Sequence, residues 1–119
     1  MRITKSDVIQ TAADIADKNG LSNVSLKAVA ESLNIRTPSL YNHIDSLEAL
    51  LREIAHNGMK TMNERMIQAA IGKIGDDAIK SVGITYLNYM IEHPGIYETI
   101  QWATWHGTKE TGKIFDNYL

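Results

Sequence analysis

The sequence contains no cysteine and only two prolines, and these scarcities narrow what the chain can be. Without cysteine, disulfide frameworks and thiolate zinc sites are excluded, and the four histidines have no metal-ligand spacing. No run approaches the roughly 18 apolar residues that span a membrane, and the N-terminal residues lack the apolar segment of a signal peptide. We therefore predict a cytoplasmic protein without metal, cofactor or membrane partner.

The sequence also has no large excess of charge of one sign, since 12 Lys/Arg and 14 Asp/Glu give a net charge of only −2. Residues 1–60 carry seven Lys/Arg and seven Asp/Glu, and residues 61–119 carry five against seven. Neither half is the basic block of a sequence-blind nucleic-acid binder. Any binding to DNA must then depend on a local arrangement of side chains, doubled by a second copy of the chain.

Apolar residues at helical spacing are what the chain has in abundance. Hydrophobic residues make up 44% of the sequence and recur mostly at intervals of three and four, which predicts an all-α protein. Thr4 and Asp7 form a capping box for a first helix that ends at Gly20. Asp45 and Glu48 form a second box, which begins a long fourth helix. Later helices are expected over residues 77–93, 96–102 and 109–119.

Residues 25–46 have the pattern of two short helices joined by a tight turn. The first helix begins at Ser25. The second has Thr37 as its cap and runs from Pro38, whose φ is preset for a first helical turn, to about His43. In a helix-turn-helix, the second helix of such a pair enters the DNA major groove. The pattern therefore indicates a DNA-binding segment.

Residues 4–51 resemble the N-terminal domain of the tetracycline-repressor (TetR) family. The resemblance lies in the order of caps, turn and tyrosine, and most of all in the string Leu40-Tyr41-Asn42-His43. Downstream, Trp105-His106-Gly107 resembles the Trp-His-Gly element of one subfamily of TetR C-terminal domains. The chain departs from the family at Ile44 and Leu47, where members often carry Phe and Lys, so one phosphate contact is missing.

The resemblance implies both a fold and a function. It implies a three-helix DNA-binding domain over residues 1–46, joined through the long fourth helix to a helical ligand-binding and dimerisation domain over residues 47–119. The implied function is that of a transcriptional regulator, a repressor that binds operator DNA as a homodimer and is released by a small, partly apolar effector. Family members are usually longer and dimerise through their last two helices, so we expect a fragment.

The candidate DNA contacts are polar side chains that face outward when Leu40 and Ile44 point to the core. Guanidinium, amide, hydroxyl and imidazole groups can bind base edges or phosphates, and the free amides at a helix start favour phosphate. His43 could equally be a packing residue. The candidates are Ser25, Lys27, Arg36, Thr37, Ser39, Tyr41, Asn42 and His43.

The candidate effector site combines methionines of the fourth helix with aromatic and polar side chains further along. Methionine adapts to irregular shapes, and ligand pockets are mostly apolar with a few polar anchors. For each residue, ordinary core packing is the competing explanation, and His106 could instead cap a helix. The candidates are Met59, Met62, Met66, Tyr86, Tyr89, Met90, Tyr97, Trp102, Trp105 and His106.

Two other classes of protein compete with the regulator hypothesis. The first is a helical module that binds a ligand or a partner without sequence-specific DNA binding. The second is an enzyme, which would need an acid–base pair, a nucleophile motif or a phosphate loop, and the sequence contains no such motif. We therefore predict that the chain is not an enzyme.

Overall fold

A computed structural model describes residues 2–106, which form six α-helices and no strand. The helices are α1 (Lys5–Asn19), α2 (Leu26–Leu33), α3 (Thr37–Leu40), α4 (Leu47–Ala70), α5 (Gly75–Glu92) and α6 (Pro94–Trp105), with one 3-10 turn at Leu21–Asn23. The all-α prediction is confirmed for this range. The further helix predicted at residues 109–119 lies outside the described residues.

The first helix begins and ends as its sequence predicts. The Thr4 hydroxyl accepts a hydrogen bond from the Asp7 amide at 3.1 Å, and the Asp7 carboxylate accepts one from the Thr4 amide at 2.9 Å. The bond from the Thr4 backbone, followed by the one from its hydroxyl, lowers the pKa of the Asp7 carboxyl. Gly20 ends the helix with a φ of 91°, a conformation that glycine adopts without steric strain.

Helix α3 differs from its prediction at both ends. Thr37 is already helical, and the cap position belongs to Arg36, whose side chain makes no capping hydrogen bond. The hydroxyl of Thr37 therefore lies one residue too far along to cap, and that prediction was wrong. The helix ends at Leu40, after which the chain turns more tightly, as the His43 amide donates to the Leu40 carbonyl at 2.9 Å.

The cap of α4 is also one residue away from the predicted box. Ser46 is the extended residue before the helix, and its hydroxyl accepts a hydrogen bond from the Ala49 amide at 3.0 Å. The predicted Asp45–Glu48 capping box is therefore wrong, because Asp45 precedes the position from which a side chain can reach the first free amides.

Helices α5 and α6 are longer than predicted and almost continuous. Only His93 separates them, and Pro94 opens α6, where its missing N–H group has no helical partner to lose. Helix α6 continues to Trp105, three residues beyond the predicted end.

The core is shared between the four N-terminal helices and α6. Leu40 and Ile44 are both buried, as predicted. The largest fully buried apolar side chains are Val8, Val29, Leu40, Leu50 and Ile54. A smaller cluster between α4 and α6 consists of Ala55, Met59, Ile100 and Ala103, and Ile96 and Trp102 pack against both clusters. Helix α6 thus packs on α1 as well as on α4, and the division of the chain at residues 46 and 47 stays a prediction.

Candidate nucleic-acid interface and ligand cleft

Leu40 and Ile44 pack α3 and the turn after it against the core. The polar side chains around the helix stay exposed. Tyr41 exposes 56% of its surface. The predicted DNA contacts that are exposed are Ser25, Lys27, Arg36, Ser39, Tyr41 and Asn42. Within residues 2–106, the side chains of Lys27, Arg36, Tyr41 and Asn42 form no hydrogen bond or ion pair with another residue. These groups are therefore available to an external ligand.

Three of the predicted DNA contacts either cap a helix or are partly buried. The Ser25 hydroxyl accepts a hydrogen bond from the Ala28 amide at 3.0 Å and so caps α2. Thr37 is half-buried. His43 is half-buried beside a small cavity that Lys5 and Glu53 also line. For these residues, any role at DNA would be added to a role in the structure.

The two departures from the TetR pattern have a common structural explanation. Ile44 is buried, and Leu47 packs against the same apolar cluster at the start of α4. Both positions contribute apolar contacts to the core, so the chain has no lysine at the start of α4 to contact phosphate.

The predicted effector-binding residues do not form one group. The hydroxyls of Tyr86 and Tyr97 lie 2.8 Å apart, and their rings meet edge to face. This hydrogen bond, together with burial, raises the pKa of Tyr86 to about 12. Further along, the His106 ring stacks on that of Trp102, and its Nδ1 atom lies 3.0 Å from the Trp102 carbonyl oxygen. His106 therefore ends α6.

Burial separates the remaining predicted effector residues. Met59 and Tyr89 are buried, whereas Trp105 exposes 86% of its surface. Gly107 of the Trp-His-Gly element lies outside the described residues. The half-buried members are Met62, Met66, Tyr86, Met90, Tyr97 and Trp102.

A cleft of about 220 Å³ lies where α1 meets α4, α5 and α6. Of the predicted effector residues, only Tyr89 lines it. Gly58 also lines it, and a Cβ atom at this glycine would overlap the Ile96 side chain and lie 3.1 Å from the Tyr89 hydroxyl. The lining residues that the sequence did not indicate are Ile9, Gln10, Ala13, Ile54, Asn57, Thr61, His93 and Ile96.

Asp17 links α1 to the start of α6 through both of its carboxylate oxygens. Oδ1 accepts a hydrogen bond from the Ile96 amide at 2.9 Å, and Oδ2 lies 2.7 Å from Nδ1 of His93. A second link joins the Leu21 amide to the Glu98 carboxylate at 2.8 Å. A side chain of α1 thus caps α6, and no sequence pattern indicated this pairing because the partners are far apart along the chain.

The backbones of α1 and α6 also touch directly. A Cβ atom built on Gly95 would overlap the carbonyl group of Ala16, and Gly95 itself is buried. We name this contact, together with the bonds of Asp17 and Leu21, the α1–α6 joint. It fixes the position of the helix that follows His93 relative to the N-terminal helices.

Within residues 2–106, no helix combines the length and the apolar character needed to cross a bilayer. The same part of the chain contains no group of three His, Asp or Glu side chains arranged to hold a metal ion.

The sequence is similar to two helix-turn-helix regulators, although no protein-family model matches it. It is 38% identical over 96 residues to the uncharacterized HTH-type transcriptional regulator YobS of Bacillus subtilis (strain 168), covering 81% of this chain and 50% of that protein. It is 29% identical, also over 96 residues, to the uncharacterized HTH-type transcriptional regulator Rv0681 of Mycobacterium tuberculosis (strain ATCC 25618 / H37Rv), covering 81% and 44%. The chain therefore spans about half the length of these relatives.

The fold is similar to that of solved TetR-family proteins. The TetR family transcriptional regulator PfmR from Thermus thermophilus superposes with a TM-score of 0.73 at 20% identity, over 92% of this chain and 60% of that one. A structure from Shewanella sp. PV-4 assigned to the same family gives 0.63 at 20% identity, over 85% and 54%. The fold that the resemblance of residues 4–51 implies is thereby confirmed, and both sequence relatives are named as transcriptional regulators, the class of protein predicted for this chain.

Proposed function

The chain carries the TetR-family fold and is related in sequence to helix-turn-helix transcriptional regulators, and on this premise we propose that it represses transcription by binding operator DNA as a homodimer. Helices α2 and α3 would contact the major groove, and a small molecule would release the protein. The observation that carries this proposal is the set of exposed, unpaired polar side chains around α3, held in place by buried Leu40 and Ile44. We place the protein in the cytoplasm.

The charge of the chain supports the dimeric form of this proposal. Because residues 1–60 are neutral overall, one copy has few cations with which to displace the counterions of a duplex. Two copies bound to two half-sites add their binding free energies, provided that the dimer holds them at the right spacing.

An exposed apolar stripe on α5 is a candidate contact with a second copy, in addition to the last two helices through which members of the resembled family dimerise. Ile84, Leu87 and Ile91 follow one another at helical spacing and are 58%, 55% and 76% exposed. Tyr89, on the opposite side of the helix, is buried. A helix that is apolar on both sides is typical of one enclosed by neighbours. We name these three residues the α5 stripe.

The charge around the α5 stripe fits an antiparallel contact between two copies. Four more exposed isoleucines lie on or near α4 and α5: Ile67, Ile71, Ile74 and Ile79. Antiparallel packing would also bring Lys80 near the partner's α5 C-terminus, where a positive charge is favourable.

A charge placed in the α5 stripe is expected to weaken the dimer. Leu87→Glu would bury a carboxylate against the partner's apolar residues, so the dimer dissociation constant should rise at least tenfold. Asn88→Glu adds the same charge beside the stripe, on an exposed position, and should change the constant little. Sedimentation equilibrium of both variants measures the effect, and equal constants would exclude the stripe as the dimer contact.

Nuclease footprinting on the DNA upstream of the protein's own gene tests the proposed function. We expect protection of a pseudo-palindrome whose half-sites are centred about one helical turn, roughly 34 Å, apart or a multiple of it. Absence of protection at low salt would contradict the proposal. A gel shift that ignores DNA sequence, combined with stabilisation by a ligand, would instead favour a helical binding module.

A further inference from the structure

The cleft between α1 and α4, α5 and α6 is bordered by Tyr89, whose ring is buried and whose hydroxyl opens to the cleft. Tyr89 is only 2% exposed. Its ring contacts His93 and lies under the Arg65 guanidinium, 5.5 Å from ring centroid to Cζ. Within residues 2–106, however, no group forms a hydrogen bond with its hydroxyl. Within the same residues, no side-chain nitrogen or oxygen that is shielded from solvent lacks a hydrogen-bond partner, so the Tyr89 oxygen is open to the cleft. A hydroxyl at the end of a buried ring is placed to bond to a molecule that enters the cleft.

Gly58 keeps the space in front of that hydroxyl open. Any side chain at this position would begin 3.1 Å from the Tyr89 oxygen and would overlap Ile96. Because α4 carries glycine there, its backbone passes close to Tyr89 without filling the cleft. The hydroxyl therefore borders the cleft that Gly58 and Tyr89 both line.

The lining of the cleft is apolar on its walls and polar at its edge, without a carboxylate or an ammonium group. Ile9, Ile54 and Ile96 provide the walls, and Asn57 and Thr61 contribute exposed amide and hydroxyl groups. Burial raises the pKa of Tyr89 to about 12, so at neutral pH its hydroxyl keeps its proton and can donate a hydrogen bond. The basic groups near the cleft already face carboxylates: Nδ1 of the lining residue His93 lies 2.7 Å from Asp17, and Arg65, above the Tyr89 ring, lies 3.3 Å from Glu92. An anionic ligand would therefore find no unpaired positive charge among these groups.

From this geometry we propose that the cleft binds a small, neutral molecule that has an apolar body and a carbonyl oxygen, and that the Tyr89 hydroxyl donates a hydrogen bond to that oxygen. The volume of about 220 Å³ accommodates roughly ten non-hydrogen atoms if each needs somewhat less space than a water molecule. The site uses α1 as well as α4–α6, so it lies at the contact between the N-terminal helices and the rest of the fold. Its role as the effector site rests on the proposed function, whereas ligand binding itself does not.

Three probes of similar size separate the features of the proposed site. Acetophenone carries a carbonyl oxygen on an apolar body, ethylbenzene lacks the oxygen, and benzoate is charged. In amide NMR titrations of the chain without DNA, acetophenone should shift the signals of cleft residues such as Gly58 and Ile96. Ethylbenzene should bind more weakly, and benzoate should leave these signals unchanged.

The variant Tyr89→Phe removes the hydroxyl and keeps the ring, and so tests the hydrogen bond directly. It should weaken acetophenone binding about fivefold, the effect of one hydrogen bond, and leave ethylbenzene binding unchanged. Tyr97→Phe is the matched control, because the Tyr97 hydroxyl bonds to Tyr86 and does not line the cleft. Asn57→Trp, at an exposed position on the edge, should block both ligands.

Several outcomes would overturn the proposed site. They are the absence of shifts at cleft residues with millimolar acetophenone, equal acetophenone affinity in Tyr89→Phe, and binding of benzoate as tight as that of acetophenone. A separate gel shift with operator DNA distinguishes the two proposals. If acetophenone binds in the cleft and the chain does not bind DNA, the site stands and the proposed function fails. If the chain binds DNA and acetophenone does not bind in the cleft, the proposed site is contradicted and the proposed function stands.

Discussion

Gly95→Ala is expected to lower the free energy of unfolding by about 3 kcal/mol, near the upper end of the cost of overpacking. The added methyl group would overlap the Ala16 carbonyl group, which belongs to the backbone and cannot rotate away as a side chain can. Helix α6 would have to move off α1, which would also lengthen the hydrogen bond from the Ile96 amide to Asp17. Urea denaturation followed by circular dichroism measures the loss, and the melting temperature should fall by about 10 °C.

Gly83→Ala is the matched control for this substitution. Gly83 lies within α5, and a Cβ atom built on it meets no other atom within 4 Å. Alanine favours the helix over glycine, so Gly83→Ala should raise the free energy of unfolding by about 0.5–1 kcal/mol, measured at low protein concentration. If Gly95→Ala were as stable as the unaltered chain, the close contact in the α1–α6 joint would be contradicted.

Tyr41→Ala is expected to weaken operator binding by about 30- to 150-fold. The side chain is 56% exposed on the turn after α3, and the loss of about 1–1.5 kcal/mol per half-site would count twice in a dimer. The melting temperature should change little, because substitutions of exposed residues without internal partners usually change stability by less than about 0.5 kcal/mol. Fluorescence anisotropy with labelled operator DNA gives the affinity.

Two further variants test which group of Tyr41 contributes to operator binding and whether an exposed aromatic side chain elsewhere has the same effect. Tyr41→Phe keeps the ring and removes the hydroxyl, so an intermediate loss would assign part of the affinity to a hydrogen bond. Trp105→Ala removes another exposed aromatic side chain, 86% exposed at the end of α6, and should leave operator binding unchanged. An unchanged affinity for Tyr41→Ala would place Tyr41 away from the DNA.

The proposed cleft and the α1–α6 joint share residues, and this suggests how ligand and DNA could be coupled. His93 lines the cleft and is held by the Asp17 carboxylate. Ile96 lines the cleft and donates its amide to the same carboxylate. A ligand that displaces these residues would therefore shift α1. Because α1 and α3 share a core, the shift would also reach α3. If such a ligand lowers the affinity of the protein for operator DNA by some factor, operator DNA must lower the affinity for the ligand by the same factor.

Local sequence determined most of the helices and the anchoring of α3. The box of Thr4 and Asp7, the glycine at residue 20 and the spacing of Leu40 and Ile44 are short-range features, and each is found as predicted. Caps involve residues three positions apart, so the sequence contains all the information that they need. The errors in the caps were of one residue, as at Ser46 for Asp45, because neighbouring polar residues compete for one cap. The ends of α3 and α6 differed from the predicted ends by three residues.

The tertiary structure alone decided where α6 packs and which residues line the cleft. Ile9 and Gln10 belong to α1 and Tyr89 to α5, and no periodicity within one helix predicts which side chain of another will face it. The predicted DNA contacts share one short segment, so the sequence could propose them together. The predicted effector residues are spread over three helices, and their grouping depends on how those helices pack. The helices follow from local hydrogen bonding and apolar spacing, whereas the cleft and the α1–α6 joint follow from contacts between residues distant in sequence.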